Sequence, residues 1–170
     1  MSFDDIIDRR GTHSAKWDAM EKLYGVPAED GLAMWVADMD FRPPHVVQDA
    51  LRGMLDHGVY GYYADDGPYR EAIRWWMDTR HGWQIDPSHI FTTHGLVNGT
   101  GLCLDTFTAP GDAVVVFSPV YHAFGRVVRA AGRELRELEM PVTDGKYTLD
   151  FDAFDAAMTG SETMLILCSP

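Results

Sequence analysis

The sequence is poor in basic residues and in cysteine. It has 14 Lys and Arg against 26 Asp and Glu, a net charge of -12 at pH 7. Such an acidic chain is repelled by phosphate backbones and anionic bilayers, so we exclude nucleic acid and membrane as main partners. The two cysteines, Cys103 and Cys168, lie far apart in mostly apolar contexts. This favours buried, reduced thiols in a cytoplasmic protein over a disulfide or a metal pair.

Long apolar runs are missing as well. No run approaches the ~20 residues that a membrane-spanning helix needs. The start, MSFDDIIDRR, is acidic before it is basic and has no signal-peptide core. The composition, 46% hydrophobic and 24% charged over 170 residues, is that of a globular chain long enough to bury a core. We therefore expect a cytoplasmic globular protein.

Several familiar enzyme motifs do not occur. There is no Gly-x-Ser-x-Gly elbow and no phosphate loop ending in Gly-Lys-Ser/Thr. Gly95 to Gly101 does not follow the dinucleotide pattern G-x-G-x-x-G, which argues against a nicotinamide enzyme. The seven histidines include no pair at metal-ligand spacing on a helix, so no metal site is predicted. His94 and His122 are candidates for ligand contacts because they lie next to Gly95 and Tyr121. A surface position is nevertheless the more common role for such histidines.

The most informative stretch runs from Phe91 to Phe124. Within it, Ala113–Phe117 is apolar throughout, which is typical of a strand in a parallel sheet covered on both faces. The turn at Gly95 precedes a helix that we expect to reach about Phe107, and a helix start can bind an anion. Tyr121 follows the strand at the edge where open α/β sheets bind ligands. A phosphate cradle beside an aromatic ring suits a flat, phosphorylated cofactor.

Periodicity and turn residues predict the other elements. The helices are expected over residues 14–23, 43–57, 68–81, 122–131 and 150–158, and the strands over 31–37, 89–93, 134–140 and 163–167, with a turn at Asp144-Gly145. The order after residue 88, β-α-β-α-β-α-β, indicates an α/β fold with a mostly parallel sheet flanked by helices. We divide the chain into an N-terminal arm and small-domain segment (1–42) and the N-terminal part of a large cofactor-binding domain (43–170). Because the sequence stops directly after a buried strand, we expect the fold to be incomplete at its C-terminus.

Seven strings, taken in order, carry a family resemblance. They are DRRGT (8–12) with KWD (16–18), MWVADMDF (34–41), HGVYGY (57–62), THGLV (93–97), SPVYHAF (118–124) and CSP (168–170). Together they resemble the amino-terminal part of a fold-type-I pyridoxal-phosphate enzyme of the class I/II aminotransferase group. Within that group, the match is to the branch of cystathionine β-lyase and the maltose-regulon modulator. The resemblance covers essentially all 170 residues, and MWVADMDF is its most specific string.

This resemblance implies pyridoxal 5′-phosphate as the cofactor and assigns its contacts. The main-chain N–H groups of Gly95 and Leu96 would bind the phosphate. The ring of Tyr121 would stack on the pyridine ring. His94 stands where many relatives carry proline, which leaves the geometry of this phosphate cradle open.

The resemblance also implies contacts outside this stretch. Tyr62, with Tyr60 as the alternative, would reach the cofactor phosphate of the neighbouring subunit in a homodimer. The main chain at Ala37 would border the amino-acid substrate. No catalytic residue is assigned, because the family's Schiff-base lysine would lie beyond Pro170. We expect the three lysines present, Lys16, Lys22 and Lys146, on the solvated surface, and the 170-residue chain to be inactive alone.

The function that follows is that of a pyridoxal-phosphate-dependent carbon–sulfur β-lyase, which releases a thiol, pyruvate and ammonia from a cystathionine-like amino acid. An aminotransferase shares the first steps of this chemistry, and the residues do not separate the two. The alternative of another class is a non-catalytic fragment or a regulatory protein that acts through protein contacts.

Overall fold

The protein is described by a computed structural model covering residues 3–62 and 64–169. By its internal contacts the chain forms two compact units, which divide between Asp65 and Asp66. Compactness within one chain does not by itself locate a domain boundary. The predicted division after residue 42 therefore stays a prediction.

The described residues of the first unit form three helices, Ala15–Asp18 (α1), Met20–Tyr24 (α2) and His45–His57 (α3). The single helix predicted over 14–23 is thus two short ones, separated at Ala19. Both α2 and α3 end at glycines, Gly25 and Gly58, with φ of 69° and 70°. These left-handed ends are the ones that the sequence predicts, because glycine adopts this conformation without a Cβ clash.

The described residues 31–37 form no strand, so the strand prediction there is wrong. Side chains hold this segment instead of a strand ladder. The indole N–H of Trp35 donates to the main-chain oxygen of Lys16 at 2.9 Å, and the Trp35 ring meets Tyr24 edge-on at 5.1 Å. An apolar run alone does not specify a strand, since a strand also needs a partner for its main chain.

The second unit contains the remaining elements. They are Gly67–His81 (α4), Leu96–Phe107 (α5), Ala113–Ser118 (β1), His122–Ala130 (α6), Glu134–Glu139 (β2), Val142–Thr143 (β3), Lys146–Tyr147 (β4), Phe151–Ala157 (α7) and Glu162–Ile166 (β5), with a 3₁₀ turn at Pro87–His89. Strands β2, β1 and β5 form a parallel sheet in that order. Strands β3 and β4 form an antiparallel hairpin around the predicted turn at Asp144-Gly145. The α/β architecture with a parallel sheet flanked by helices is confirmed.

The central strand β1 is buried on both faces. Residues Ala113–Val116 are at most 5% exposed. One face packs against Leu104 of α5 and Val128 of α6, and the other packs against Leu138 of β2 and Phe154 of α7. Burying one such aliphatic side chain contributes about 1.5–3 kcal/mol. Covered faces explain why this strand is apolar throughout, as predicted.

The strand predicted over 89–93 is also wrong. His89 is the last residue of the 3₁₀ turn, and residues 90–93 form no strand. The carboxylate of Asp86 accepts a hydrogen bond from the N–H of Ser88 at 2.8 Å, which stabilises the 3₁₀ turn. The guanidinium of Arg70 donates to the main-chain oxygen of Ile90 at 2.6 Å. No strand among the described residues pairs with 89–93, and a strand needs a partner for its main chain.

Side chains of the second unit differ in exposure from what the sequence predicts. Cys103 and Cys168 are free thiols but exposed, not buried. Helical periodicity places Trp76 on the inward face of α4 with Ile73 and Met77, but Trp76 is 48% exposed, and its ring lies under the Arg80 guanidinium at 4.8 Å. Periodicity identifies the apolar face of a helix, but whether something covers that face depends on tertiary contacts. Within residues 3–62 and 64–169, no helix combines the length and apolar character needed to cross a bilayer.

Candidate functional site

The start of α5 offers main-chain N–H groups to an anion. Gly95 precedes the helix with φ 87° and ψ 165°, a conformation open almost only to glycine. The first helical hydrogen bond runs from the N–H of Gly99 to the oxygen of Gly95 at 3.0 Å. The N–H groups of Leu96, Val97 and Asn98 lie in the first turn, where the helix supplies no acceptor. This is the geometry of an anion site at a helix N-terminus.

Two side chains brace this turn. The N–H of His94 donates to Oδ1 of Asn98 at 3.2 Å, and Oγ1 of Thr93 donates to the main-chain oxygen of Gly95 at 3.2 Å. Both contacts were missed by sequence reasoning. The signal available was a capping pattern, an amide residue in the first helical turn that turns back on the preceding main chain. His94 thus contributes to the turn through its main chain, whatever its side chain does.

Tyr121 lies just past the end of β1, where the sequence predicts it. It is the residue that precedes α6, and its side chain is 52% exposed. Its ring contacts His122 at 4.9 Å and Phe124 at 5.7 Å between ring centres, both edge-on. These contacts restrict the ring while one part of it remains open to solvent.

Helix α5 and strand β1 bring Leu96 and Tyr121 to the same edge of the sheet. The guanidinium of Arg133, just before β2, donates to the oxygens of Leu104 and Thr108 at 3.1 and 2.8 Å. The last turn of α5 therefore lies where the parallel strands begin. The 12-residue helix spans about 18 Å, and the six residues of β1 span about 20 Å. The helix start consequently lies toward the edge where β1 ends.

The two predicted contacts do not share one cavity, however. Leu96 lines a groove of about 990 Å³ between α5 and the end of β5. Tyr121 lines a smaller hollow of about 280 Å³ with His122 and Arg129. The shared cofactor site thus stays a prediction, which the common sheet edge supports.

The other predicted site residues lie in the first unit. Tyr62 is fully exposed and Tyr60 is 68% exposed. Ala37 is exposed and lies directly before Asp38. Because these side chains are exposed, packing does not hold them in place. The position of the Ala37 main chain therefore has to be fixed by its neighbours in the chain.

Two cations of the arm, Arg9 and Lys16, pair with the carboxylates of Asp38 and Asp40, which follow Ala37. We call these four side chains the arm cluster. Lys16 is only 8% exposed, and its Nζ lies 2.8 Å from Oδ2 of Asp40. The prediction of a solvated Lys16 is therefore wrong. Hydrogen bonds from Lys16, Trp17 and Arg9 hold the pKa of the Asp40 carboxyl well below its usual range. No local pattern predicts the cluster, because Lys16 and Trp17 lie 24 and 23 residues before Asp40 in the chain.

Comparison with known proteins now decides the family. The sequence profile of aminotransferase class I and II matches residues 36–170. The chain belongs to this family. Its membership agrees with the resemblance on which the site residues were predicted.

Several relatives within the family are similar over the whole chain. Cystathionine beta-lyase PatB of Bacillus subtilis is 42% identical over 100% of this chain and 44% of its own. Cystalysin from Treponema denticola, whose crystal structure contains pyridoxal 5′-phosphate, has a TM-score of 0.89 at 32% identity and covers 99% of this chain and 43% of its own. The PLP-bound C-S lyase from Staphylococcus hominis has a TM-score of 0.85 at 28% identity over 98% and 42%. The chain thus spans less than half the length of these relatives.

Proposed function

We propose that this chain is the cofactor-binding part of a pyridoxal-phosphate-dependent carbon–sulfur β-lyase that acts on sulfur amino acids such as cystathionine. The observation that carries the proposal is the anion-binding start of α5 at the same sheet edge as Tyr121, in a chain of this family. Relatives named as cystathionine β-lyase and C-S lyase support the lyase reaction over others of the family.

The residues present fit the cofactor. Gly95 leaves open space where a side chain would stand, since a Cβ there would meet no atom within 4 Å. A phosphate oxygen can therefore approach the main-chain N–H groups of Gly95 and Leu96 without a clash. Donation to a charged acceptor contributes about 1.5–3 kcal/mol per hydrogen bond. The half-exposed ring of Tyr121 can accept a flat pyridine against its face, which adds about 0.5–1.5 kcal/mol beyond area burial.

In this proposal, each residue of the chain binds or orients and none exchanges a proton. When bound, pyridoxal phosphate supplies an electron sink for the carbon that bears the substrate's amino group. Leu96 and Gly95 anchor the phosphate end, and Tyr121 fixes the plane of the ring. The main chain at Ala37 borders the substrate. The overall reaction consumes water and splits cystathionine into a thiol, pyruvate and ammonia.

A homodimer is part of the proposal. The fully exposed side chain of Tyr62 supports a role outside its own unit, in contact with the cofactor phosphate of a second copy. The cytoplasmic location also stays a prediction. We further expect residues 1–170 alone to bind the cofactor without releasing thiol. Of the three lysines, Lys16 is paired with Asp40, and Lys146 lies in the short hairpin strand β4.

Binding is tested with pyridoxine 5′-phosphate, which carries an alcohol in place of the aldehyde and so cannot react with surface lysines. Calorimetry on the 170-residue chain should show it binding about tenfold or more tightly than pyridoxine, because only the phosphate reaches the helix start. Tyr121→Ala should weaken both ligands, whereas Tyr121→Phe should weaken neither. Equal affinity for the two ligands would contradict the phosphate cradle.

The reaction is tested on the polypeptide that the source gene encodes. Purified with pyridoxal phosphate, it should release thiol and pyruvate from cystathionine. Alanine with a keto-acid acceptor serves as the transaminase control. Pyruvate from alanine without thiol from cystathionine would establish the aminotransferase instead. The absence of product in both assays would refute both enzymatic functions and favour an interaction protein.

A further inference from the structure

The arm cluster converges on the two carboxylates that follow Ala37. The Asp40 carboxylate accepts hydrogen bonds from Arg9 Nη1 at 2.7 Å, Lys16 Nζ at 2.8 Å and Trp17 Nε1 at 3.1 Å. Arg9 also pairs with the carboxylate of Asp38. Two cations thus balance two anions, so the cluster carries no net charge. Charge-assisted hydrogen bonds of this kind are the stronger class.

The cluster also holds the main chain itself. Nζ of Lys16 donates to the main-chain oxygen of Asp38 at 3.0 Å, and the Lys16 side chain is only 10% exposed. One ammonium therefore fixes both the Asp38 carbonyl and the Asp40 carboxylate. Because Asp38 is bonded directly to Ala37, this pair of contacts limits where the Ala37 main chain can lie.

The arm that supplies the cations is itself ordered. The Asp18 carboxylate accepts from the N–H of Gly11 at 2.8 Å and of Ser14 at 3.0 Å. Thr12 Oγ1 donates to the main-chain oxygen of Arg9 at 2.6 Å. The cluster is therefore a link between an ordered arm and the segment around Ala37, not a loose surface ion pair, which would contribute about 0–1 kcal/mol.

Apolar packing provides little of this order. Leu32, Met34 and Met39 are 84%, 91% and 75% exposed, and the ring contact between Trp35 and Tyr24 is the main apolar contact among the described residues of the segment. A segment with few buried apolar contacts is normally the first to open locally. Here the polar contacts of Arg9 and Lys16, with the Trp35 indole, are what holds it.

We propose that Arg9 and Lys16 are positioning residues for the substrate, which hold the Ala37 main chain in place through Asp38 and Asp40. This inference rests on the proposed function, since it assigns the substrate contact to Ala37. It adds that the precision of this contact comes from the arm, about 20 to 30 residues earlier in the chain.

The test is Lys16→Met in the holoenzyme. Lys16→Arg is the conservative variant, and Lys22→Met, at an exposed position of α2, is the control. We expect Lys16→Met to raise KM for the amino acid about tenfold or more while kcat and cofactor affinity change little, because a misplaced contact weakens binding. Lys16→Arg should have a KM close to the wild-type value, and Lys22→Met should leave KM unchanged. Lys16→Met with a normal KM, or with a lowered kcat alone, would overturn the positioning role.

Amide hydrogen exchange on the 170-residue chain separates this inference from the proposed function. Lys16→Met should speed exchange across residues 37–40 and leave the sheet of the second unit unchanged. Unchanged exchange at 37–40 would refute the clamp. If the wild-type enzyme processed no amino acid, the proposed function and the substrate role would both fall, while exchange would still decide whether the arm orders this segment. Loss of the near-ultraviolet circular dichroism of the tryptophans in Lys16→Met identifies a variant that has unfolded. Arg9→Met, which removes the other cation of the arm cluster, then carries the test with the same expected rise in KM.

Discussion

Replacing Gly95 by alanine is expected to strain the start of α5, and the cost should appear either in the stability of the fold or in phosphate binding. At φ 87° and ψ 165° a residue with a Cβ is strained by about 1–3 kcal/mol. No steric clash adds to this cost, because a Cβ there meets no atom within 4 Å. The strain is either kept in the fold or relieved by moving the N–H groups away from the phosphate.

These two responses can be measured separately. If the strain is kept, Gly95→Ala lowers the free energy of unfolding by about 1–3 kcal/mol and binds as wild type does. If the turn relaxes, stability is retained and pyridoxine 5′-phosphate binds about 5- to 150-fold more weakly, which is the same free energy expressed as affinity. Urea denaturation and calorimetry on the same samples should therefore give losses that sum to this range.

Gly111 provides the matched control. It too has a positive φ, 91°, and open space at its Cβ, but it lies in the turn before β1, at the opposite edge of the sheet. Gly111→Ala should lower stability and leave the affinity for pyridoxine 5′-phosphate unchanged. Losses below about 0.5 kcal/mol in both measurements on Gly95→Ala, the range of an ordinary surface substitution, would refute the strain argument.

Two further predictions concern the second unit. Leu104→Ala removes a fully buried side chain from the α5 face of the sheet and should lower the free energy of unfolding in urea by about 2–5 kcal/mol. Leu102 on the same helix is 52% exposed, so Leu102→Ala should cost less than half as much. Equal losses would contradict the assigned core. Burial raises the pKa of Glu162, but hydrogen bonds from its own main chain and from Thr159 and Gly160 outweigh it and lower that pKa from 4.5 to about 2. Since the folded pKa is the lower one, this carboxylate stabilises the fold above pH 4.5, and the stabilisation is lost as pH falls toward about 2. Between these pH values the thermal midpoint should fall more steeply in wild type than in Glu162→Gln, and identical slopes would contradict the assignment.

Much of the fold could be predicted from local sequence. The run Ala113–Phe117 predicts a strand buried on both faces, because it has no polar side chains at alternate positions to face water. Gly58 and Gly82 predict helix ends, since each takes a left-handed conformation that other residues avoid. The placement of Tyr121 follows from chain order, as the residue after a strand of a parallel sheet must lie at its carboxyl edge. In each case the deciding interaction is within a few residues of the chain.

Other features were decided only by tertiary contacts. Residues 89–93 form no strand because no strand among the described residues pairs with them, and the burial of Lys16 depends on Asp40, 24 residues later. The separate hollows beside Leu96 and Tyr121 depend on which strands and helices line them. Sequence by itself determined where most helices end and which strand is buried on both faces, because those preferences belong to single residues and their neighbours. Only the tertiary structure decided which charges pair, since an ammonium and a carboxylate far apart in the chain have no relation until folding brings them together.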